Sequence, residues 1–178
     1  MEKLKPIKAE DFLVRAHDLW SAQWLLLTAG DFAAGSYNSM TVGWGSFGTM
    51  WRKPFAQVVV RNGRHTRNFI DNHESFTLCA FPEQHRAALQ LLGSRSGRDG
   101  DKIAASGLTP VAVSRVAAPA FAEAELVVEC RKIYWQDMQP ENFLDPAIEG
   151  LYSGRDYHRI YFGEIVAVAG TEKFVFEA

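Results

Sequence analysis

Three short stretches of this chain hold residue types that could bind a charged, flat ligand. The first is Asn38-Ser39-Met40-Thr41-Val42-Gly43-Trp44-Gly45. Its glycines permit close backbone approach. Asn38, Ser39 and Thr41 offer hydrogen-bonding groups, and Trp44 offers a flat stacking surface. A strand ending in a tight aromatic turn accounts for the same pattern. The second is Val60-Arg61-Asn62-Gly63-Arg64-His65-Thr66. It follows a buried-looking strand and leads into a helix, and helix N-termini attract phosphates. Arg61 and Arg64 add charge-assisted donors, and Thr66 adds a hydroxyl. Asn62-Gly63 is also a plain turn signal, which explains the turn but not the flanking arginines. The third is Ser94-Arg95-Ser96-Gly97-Arg98-Asp99, with Lys102 one turn into the next helix. Two such loops in one small domain suggest one phosphate held from two sides.

These loops need a scaffold, and the surrounding pattern is mainly β. Ala22–Ala29 and Phe55–Val60 are apolar runs. Tyr37–Trp44 alternates, with Met40, Val42 and Trp44 on one face. Ser75–Phe81, Ala124–Tyr134 and His158–Ala169 continue the style. Helices are expected at Thr66–Asn72, at Glu83–Leu92 with Gly93 just past its end, and at Asp99–Ser106 with Asp99 as cap and Gly107 as stop. Gln136–Gly154 is a polar excursion, long enough for a functional loop or lid. Strands do not alternate with long helices, so an antiparallel barrel with inserted helices is expected rather than a doubly wound parallel sheet. No Gly-x-Gly-x-x-Gly or Walker fingerprint is present.

The 178 residues suit one domain spanning 1–178. With Lys+Arg 19 against Asp+Glu 21, the formal charge is −2, which argues against a nucleic-acid binder. No apolar run is long enough for a membrane span, and no secretory signal is evident. Cys79 and Cys130 lack metal-ligand spacing, so no metal is expected, they read as core residues, and a cytoplasmic setting is favoured. The near-neutral total hides an acid-free window from Ala33 to Ile70 holding Arg52, Lys53, Arg61, Arg64 and Arg67. That window is either an anion site or a solvated basic face.

Taken together, Asn38–Trp44, Arg61–Thr66, Ser94–Lys102, and Asp156-Tyr157-His158-Arg159 followed by Gly163-Glu164-Ile165 resemble the flavin reductase-like, FMN-binding split-barrel family, especially its flavoredoxin-type branch. The resemblance runs from about Trp24 to Ala169. It implies a Greek-key antiparallel split barrel that forms a homodimer and binds FMN near the subunit interface. By this analogy Asn38, Met40, Thr41 and Trp44 lie along the isoalloxazine and ribityl chain. Arg61, Arg64 and Thr66 would hold the phosphate, with Ser94, Ser96, Arg98 and Lys102 closing over it, and Gly63, His65 and Gly97 are further cofactor-binding positions. Where relatives often read Arg-Pro-Ser-Arg-Tyr-Thr, this chain reads Arg61-Asn62-Gly63-Arg64-His65-Thr66. The serine hydroxyl is lost at Gly63, although its backbone N–H remains. In related reductases a histidine in the position of His158 lies near the flavin and nicotinamide, which makes His158 the candidate catalytic residue.

The resemblance implies an NAD(P)H-dependent flavin oxidoreductase, with NADH or NADPH as reductant and hydride passing to flavin N5. The alternative is an FMN-binding electron carrier reduced by a redox partner protein. An unliganded barrel serving as an interaction module is the third reading. Hydride chemistry belongs to the cofactor, which fits the lack of a triad, paired carboxylates or a metal cluster.

Overall fold

A computed structural model describes residues 4–176. In chain order the strands are β1 (Lys5–Ile7), β2 (Leu25–Asp31), β3 (Ser36–Val42), β4 (Gly45–Met50), β5 (Lys53–Arg61), β6 (Ser75–Ala80), β7 (Pro110–Val111), β8 (Ala120–Phe121), β9 (Leu126–Asp137) and β10 (His158–Gly170). The helices are α1 (Thr66–Asn72), α2 (Arg86–Ser94) and α3 (Lys102–Ser106). One antiparallel sheet runs in the order β3-β2-β6-β9-β10-β5-β4, with β1 added to β10, and β7 and β8 form a separate ribbon. The fold is a mainly β split barrel.

Several strands read as continuous apolar runs because both of their faces are covered. Side chains alternate across a sheet, so neighbours along one strand enter different cores. Leu25, Leu27 and Ala29 of β2 fill the barrel interior with Phe76, Leu78, Val128 and Tyr161. Leu26 faces the other way, joining Cys79, Val127 and the buried sides of α2 and α3. β10 is 13 residues long and shifts register against β9 at Phe162/Gly163 and Ile165/Ala167. Such bulges bend a strand and let it wrap a barrel.

The sheet ends at β3 and β4, which are joined only by Gly43 and Trp44 yet do not pair. The split of the barrel lies at that join. Trp20, 4% exposed, packs beside it with its ring 5.2 Å from Phe47. A Cβ on Gly45 would come within 2.5 Å of that indole and 2.4 Å of the Gln57 carbonyl oxygen. Gly45 is therefore required by packing at the split.

Differences from the expected elements have local causes. Residues Asp18–Gln23 form a π-helical turn, so β2 begins only at Leu25. Trp24 lies between them at φ 66, its ring covered by the Arg86 guanidinium at 3.4 Å. Gly93 lies inside α2 rather than beyond it, because the helix crowds β3: a Cβ there would meet Thr41 at 3.1 Å. Asp101, not Asp99, caps α3, accepting from the backbone N–H of Ile103 and Ala104, while Gly107 at φ 74 ends the helix as expected. β4 carries no alternation in its Gly-Ser-Phe-Gly-Thr-Met sequence and is held by its ladder to β5.

Gly45→Ala should cost about 1–3 kcal/mol, the usual range for an overpacked core. A shift of the denaturation midpoint to lower urea, with little change in slope, is the expected result.

Candidate functional site

The backbone brings the expected loops together at the split. β10 pairs with β5 so that His158 lies opposite Arg61. Beside them a cleft of about 530 Å³ is lined by Met40, Thr41, Val42, Gly43, Trp44, Val59, Arg61, Gly63, Arg64, Asp156 and His158. Its walls thus come from the two sides of the split and from the loop before β10. Trp44 is 47% exposed, an unusual cost for an indole, and its ring lies 5.1 Å from the His158 imidazole. Met40 is buried in the floor, and Thr41 donates to the Leu89 carbonyl at 2.5 Å.

The cations divide by what they already touch. Arg64 lines the cleft, and its guanidinium makes no hydrogen bond or ion pair among the described residues. Arg61 donates to the Leu151 carbonyl at 3.0 Å and covers the Tyr152 ring at 5.3 Å. Arg67 faces away, pairing with Asp71 at 2.7 Å and Asp137 at 3.7 Å. Lys53 pairs with Glu164 at 2.7 Å. Lys102 is buried and donates to the carbonyls of Leu92 and Arg95, at 2.8 and 3.1 Å. Burial, with the nearby Arg64 charge, lowers its pKa to about 8. It clamps the end of α2.

The Ser94–Lys102 loop leans on the Arg61–Thr66 loop. Arg98 donates to the Gly63 carbonyl at 3.1 Å, and the Ser96 hydroxyl accepts from the Arg98 backbone N–H. Gly97 lies against Asn38 and His65, where a Cβ would meet the Asn38 side-chain oxygen at 2.5 Å. Asn38 in turn donates to the Thr66 hydroxyl at 2.7 Å. Ser94 turns back to its own helix, donating to the Gln90 carbonyl. Behind this seam lies a second cavity of about 420 Å³, bordered by Asn38, His65, Gly97 and Lys102. His65 Nδ1 is buried without a partner, and burial followed by the charges of Arg98 and Lys102 lowers the pKa of the ring.

Two features differ from what the loops alone suggest. The Gly63 N–H is not free, since it donates to Asp156 at 3.1 Å. A Cβ at Gly63 would lie 3.0 Å from Asp156 Oδ2, so a larger residue there would require that carboxylate to shift slightly. Helix α1 has only seven residues, so positive potential here comes from arginines more than from a helix dipole.

His158 is 9% exposed. Its pKa is lowered to about 4, first by burial and then by the charges of Arg61 and Arg64, with Asp156 opposing. The ring is therefore neutral at pH 7. Its Nδ1 lies 3.0 Å from the Tyr152 hydroxyl. Tyr152 and Asp156 were not singled out from sequence. Asp156 opens a recognised stretch but was given no role there, whereas Tyr152 sits in a loop with no periodic pattern. Residues 138–157 fold into short 3₁₀ turns whose aromatic side chains pack inward, Phe143 stacking on Tyr152 at 5.7 Å. Cys79 and Cys130 are buried free thiols, and burial pushes Cys79 up to about 12 and Cys130 higher still.

Comparison with known families matches residues 20–176 to the flavin reductase like domain. The chain belongs to the flavin reductase-like family. It is thus a flavin-binding protein of the oxidoreductase type. Solved structures of similar shape include an FMN-binding domain of a flavin reductases-like enzyme from Shewanella baltica OS155, with TM-score 0.67 and 17% identity over 94% of this chain and 77% of that one. Flavoredoxin of Desulfovibrio vulgaris (Miyazaki F) has TM-score 0.65 and 21% identity, covering 90% and 74%. Flavoredoxin from Methanosarcina acetivorans has TM-score 0.64 and 23% identity, covering 97% and 77%. No curated protein sequence matches the chain significantly. No helix among the described residues is long and apolar enough to cross a membrane, and no cluster of metal-ligating side chains occurs among them.

The cleft residues fit a flavin. An open indole face, neutral hydrogen-bonding groups and an unpaired guanidinium line one space of adequate volume.

The depressed His158 pKa has a consequence for stability. Between about pH 4 and the ordinary value of 6.5, the unfolded chain binds a proton at this site and the folded protein does not. Stability from this group is full above pH 6.5 and falls as pH drops towards 4. The loss reaches about 3 kcal/mol, at about 1.4 kcal/mol per pH unit. His158→Gln removes that penalty. Relative to wild type, the variant should gain about 2–3 kcal/mol on moving from pH 7 to pH 4.5, read from paired urea titrations.

Proposed function

We propose that the cleft at the split binds FMN and that the protein is an NAD(P)H-dependent flavin oxidoreductase. The observation that carries this reading is the presence, in one cleft, of the open Trp44 ring and the unpaired Arg64 guanidinium. FMN would supply a hydride acceptor at N5, taking hydride from C4 of NADH or NADPH. The chain's own tasks are to bind, orient and shield. Arg64 anchors the phosphate by a charge-assisted hydrogen bond. Arg98 holds the neighbouring loop in place, and Asn38 and Thr66 brace each other beneath it. Trp44 presents a stacking face. His158, neutral at pH 7, offers a hydrogen bond without transferring a proton.

An FMN electron carrier reduced by a protein partner is the second reading. It is favoured by the similarity to two flavoredoxins. A homodimer fits an exposed aromatic face, where Trp51 lies 5.7 Å from Tyr134 and 6.0 Å from Phe162. Contiguous apolar surface of this kind marks interaction sites. The buried free thiols suit a cytoplasmic protein.

Anaerobic addition of NADH and NADPH to FMN-loaded protein separates the two readings. Loss of the yellow colour with either coenzyme supports the oxidoreductase, and no bleaching with either favours the carrier. Protein that neither quenches its tryptophan fluorescence with FMN nor melts at higher temperature in its presence contradicts both. Arg64→Ala should weaken FMN by about tenfold to a hundredfold, the worth of a hydrogen bond to a charged group, while leaving riboflavin nearly unaffected. Arg61→Ala should discriminate less between the two, because Arg61 is already held by Leu151 and Tyr152.

A further inference from the structure

The geometry points to Tyr152 as a positioning residue that donates its hydroxyl proton to His158 Nδ1 and so holds the imidazole as the Nε2–H tautomer, with that N–H aimed into the cleft. The role of the cleft rests on the flavin reading above, whereas the tautomer does not.

The Tyr152 ring is fixed on several sides. It is 5% exposed, stacked on Phe143 at an interplanar angle of 6°, covered by Arg61, and 5.1 Å from the Tyr157 ring. That packing leaves the hydroxyl two polar neighbours, His158 Nδ1 at 3.0 Å and the Met138 sulfur at 3.3 Å. A phenol has one proton to give. A thioether is a weak acceptor and an imidazole nitrogen a good one, so the proton goes to Nδ1. Nδ1 must then be the bare nitrogen and Nε2 the protonated one.

Nε2 has no hydrogen-bond partner among the described residues. It is also absent from the buried unpartnered atoms, which are only Trp20 Nε1 and His65 Nδ1 among those residues. His158 lines the cleft beside Trp44, so this N–H is open to a ligand there. The neutral state of the ring, enforced by burial and by Arg61 and Arg64, keeps one nitrogen bare for Tyr152. A neutral N–H suits an uncharged carbonyl or ring nitrogen on the ligand. Unfixed, the ring would divide itself between two tautomers and present an acceptor part of the time.

Nitrogen-15 NMR of the imidazoles at pH 7, on protein without added flavin, tests this directly. A bare, hydrogen-bonded Nδ1 and a protonated Nε2 are expected for His158. Tyr152→Phe keeps the stacked ring and should move the Nδ1 resonance, whereas Met138→Leu should not. A protonated Nδ1 in wild type overturns the assignment. So does an Nδ1 resonance that responds to Met138→Leu and not to Tyr152→Phe. In the FMN-loaded protein, Tyr152→Phe should slow reduction by about fivefold, the worth of one net hydrogen bond, with FMN affinity within about twofold. The His158→Gln, Tyr152→Phe double variant should be no slower than His158→Gln alone, and additive losses would show that Tyr152 does not act through His158. If FMN fails to bind while the NMR result holds, the flavin reading falls and the Tyr152 assignment stands.

Discussion

β3 and β4 are neighbours in sequence that do not pair, and the candidate site depends on that break. A two-residue link between antiparallel strands would ordinarily make a hairpin. Here Trp20 occupies the join, and its ring takes the space a Cβ of Gly45 would need. The strands diverge, Trp44 is left at the lip, and the floor of the cleft comes from Met40 and Val42 on one side and Val59 on the other. The break leaves edge groups unpaired, which a sheet normally avoids. The cleft proposed to bind flavin would give a reason to retain such an edge.

Electrostatics near the split follows from which charges are already matched. The acid-free window in sequence is not acid-free in space. Asp71, one turn along α1, and Asp137 of β9 pair with Arg67, and Glu164 of β10 pairs with Lys53. Arg64 is left facing the cleft without such a partner, and Lys102 caps carbonyls instead. Burial first, and then the positive charges of Arg61 and Arg64, keep the His158 ring neutral. A charged imidazole beside two arginines would compete with them for an anion. A neutral one adds a hydrogen bond without adding charge.

Much of this was legible in the residues, and the limits have physical reasons. Covered strands announce themselves as apolar runs, so β2, β5 and β6 are readable to within a few residues, as are β9 from its buried first half and β10 from its length. β4 is not, because a Gly-rich edge strand is defined by its partner's ladder and not by its own side chains. The loop motifs were visible because glycines and arginines at turns have few other uses. Their internal division of labour was hidden. Whether Lys102 meets a ligand or two carbonyls depends on how α2 and α3 pack. Tyr152 was invisible for the same reason: its contacts arise from the closing of a loop that has no period.

Gly63 shows how three sequence-distant loops become one unit. Its N–H is held by Asp156 and its carbonyl by Arg98, so both of its backbone polar groups are bound by other segments. Arg61, two residues earlier, ties down the loop that carries Tyr152. A ligand that pulls on Arg64 must therefore strain or relax contacts to the Ser94–Lys102 loop and to the loop before β10. Cross-bracing of this kind favours one arrangement of the cleft over many. Pre-ordered sites lose less entropy on binding. A Cβ at this position would lie 3.0 Å from Asp156 Oδ2, so any side chain there presses on the carboxylate that holds the Gly63 N–H. Glycine at this position keeps the junction between the loops close. The proposed anchoring of an anion by Arg64 would therefore draw on a loop junction that is already held in place from both sides.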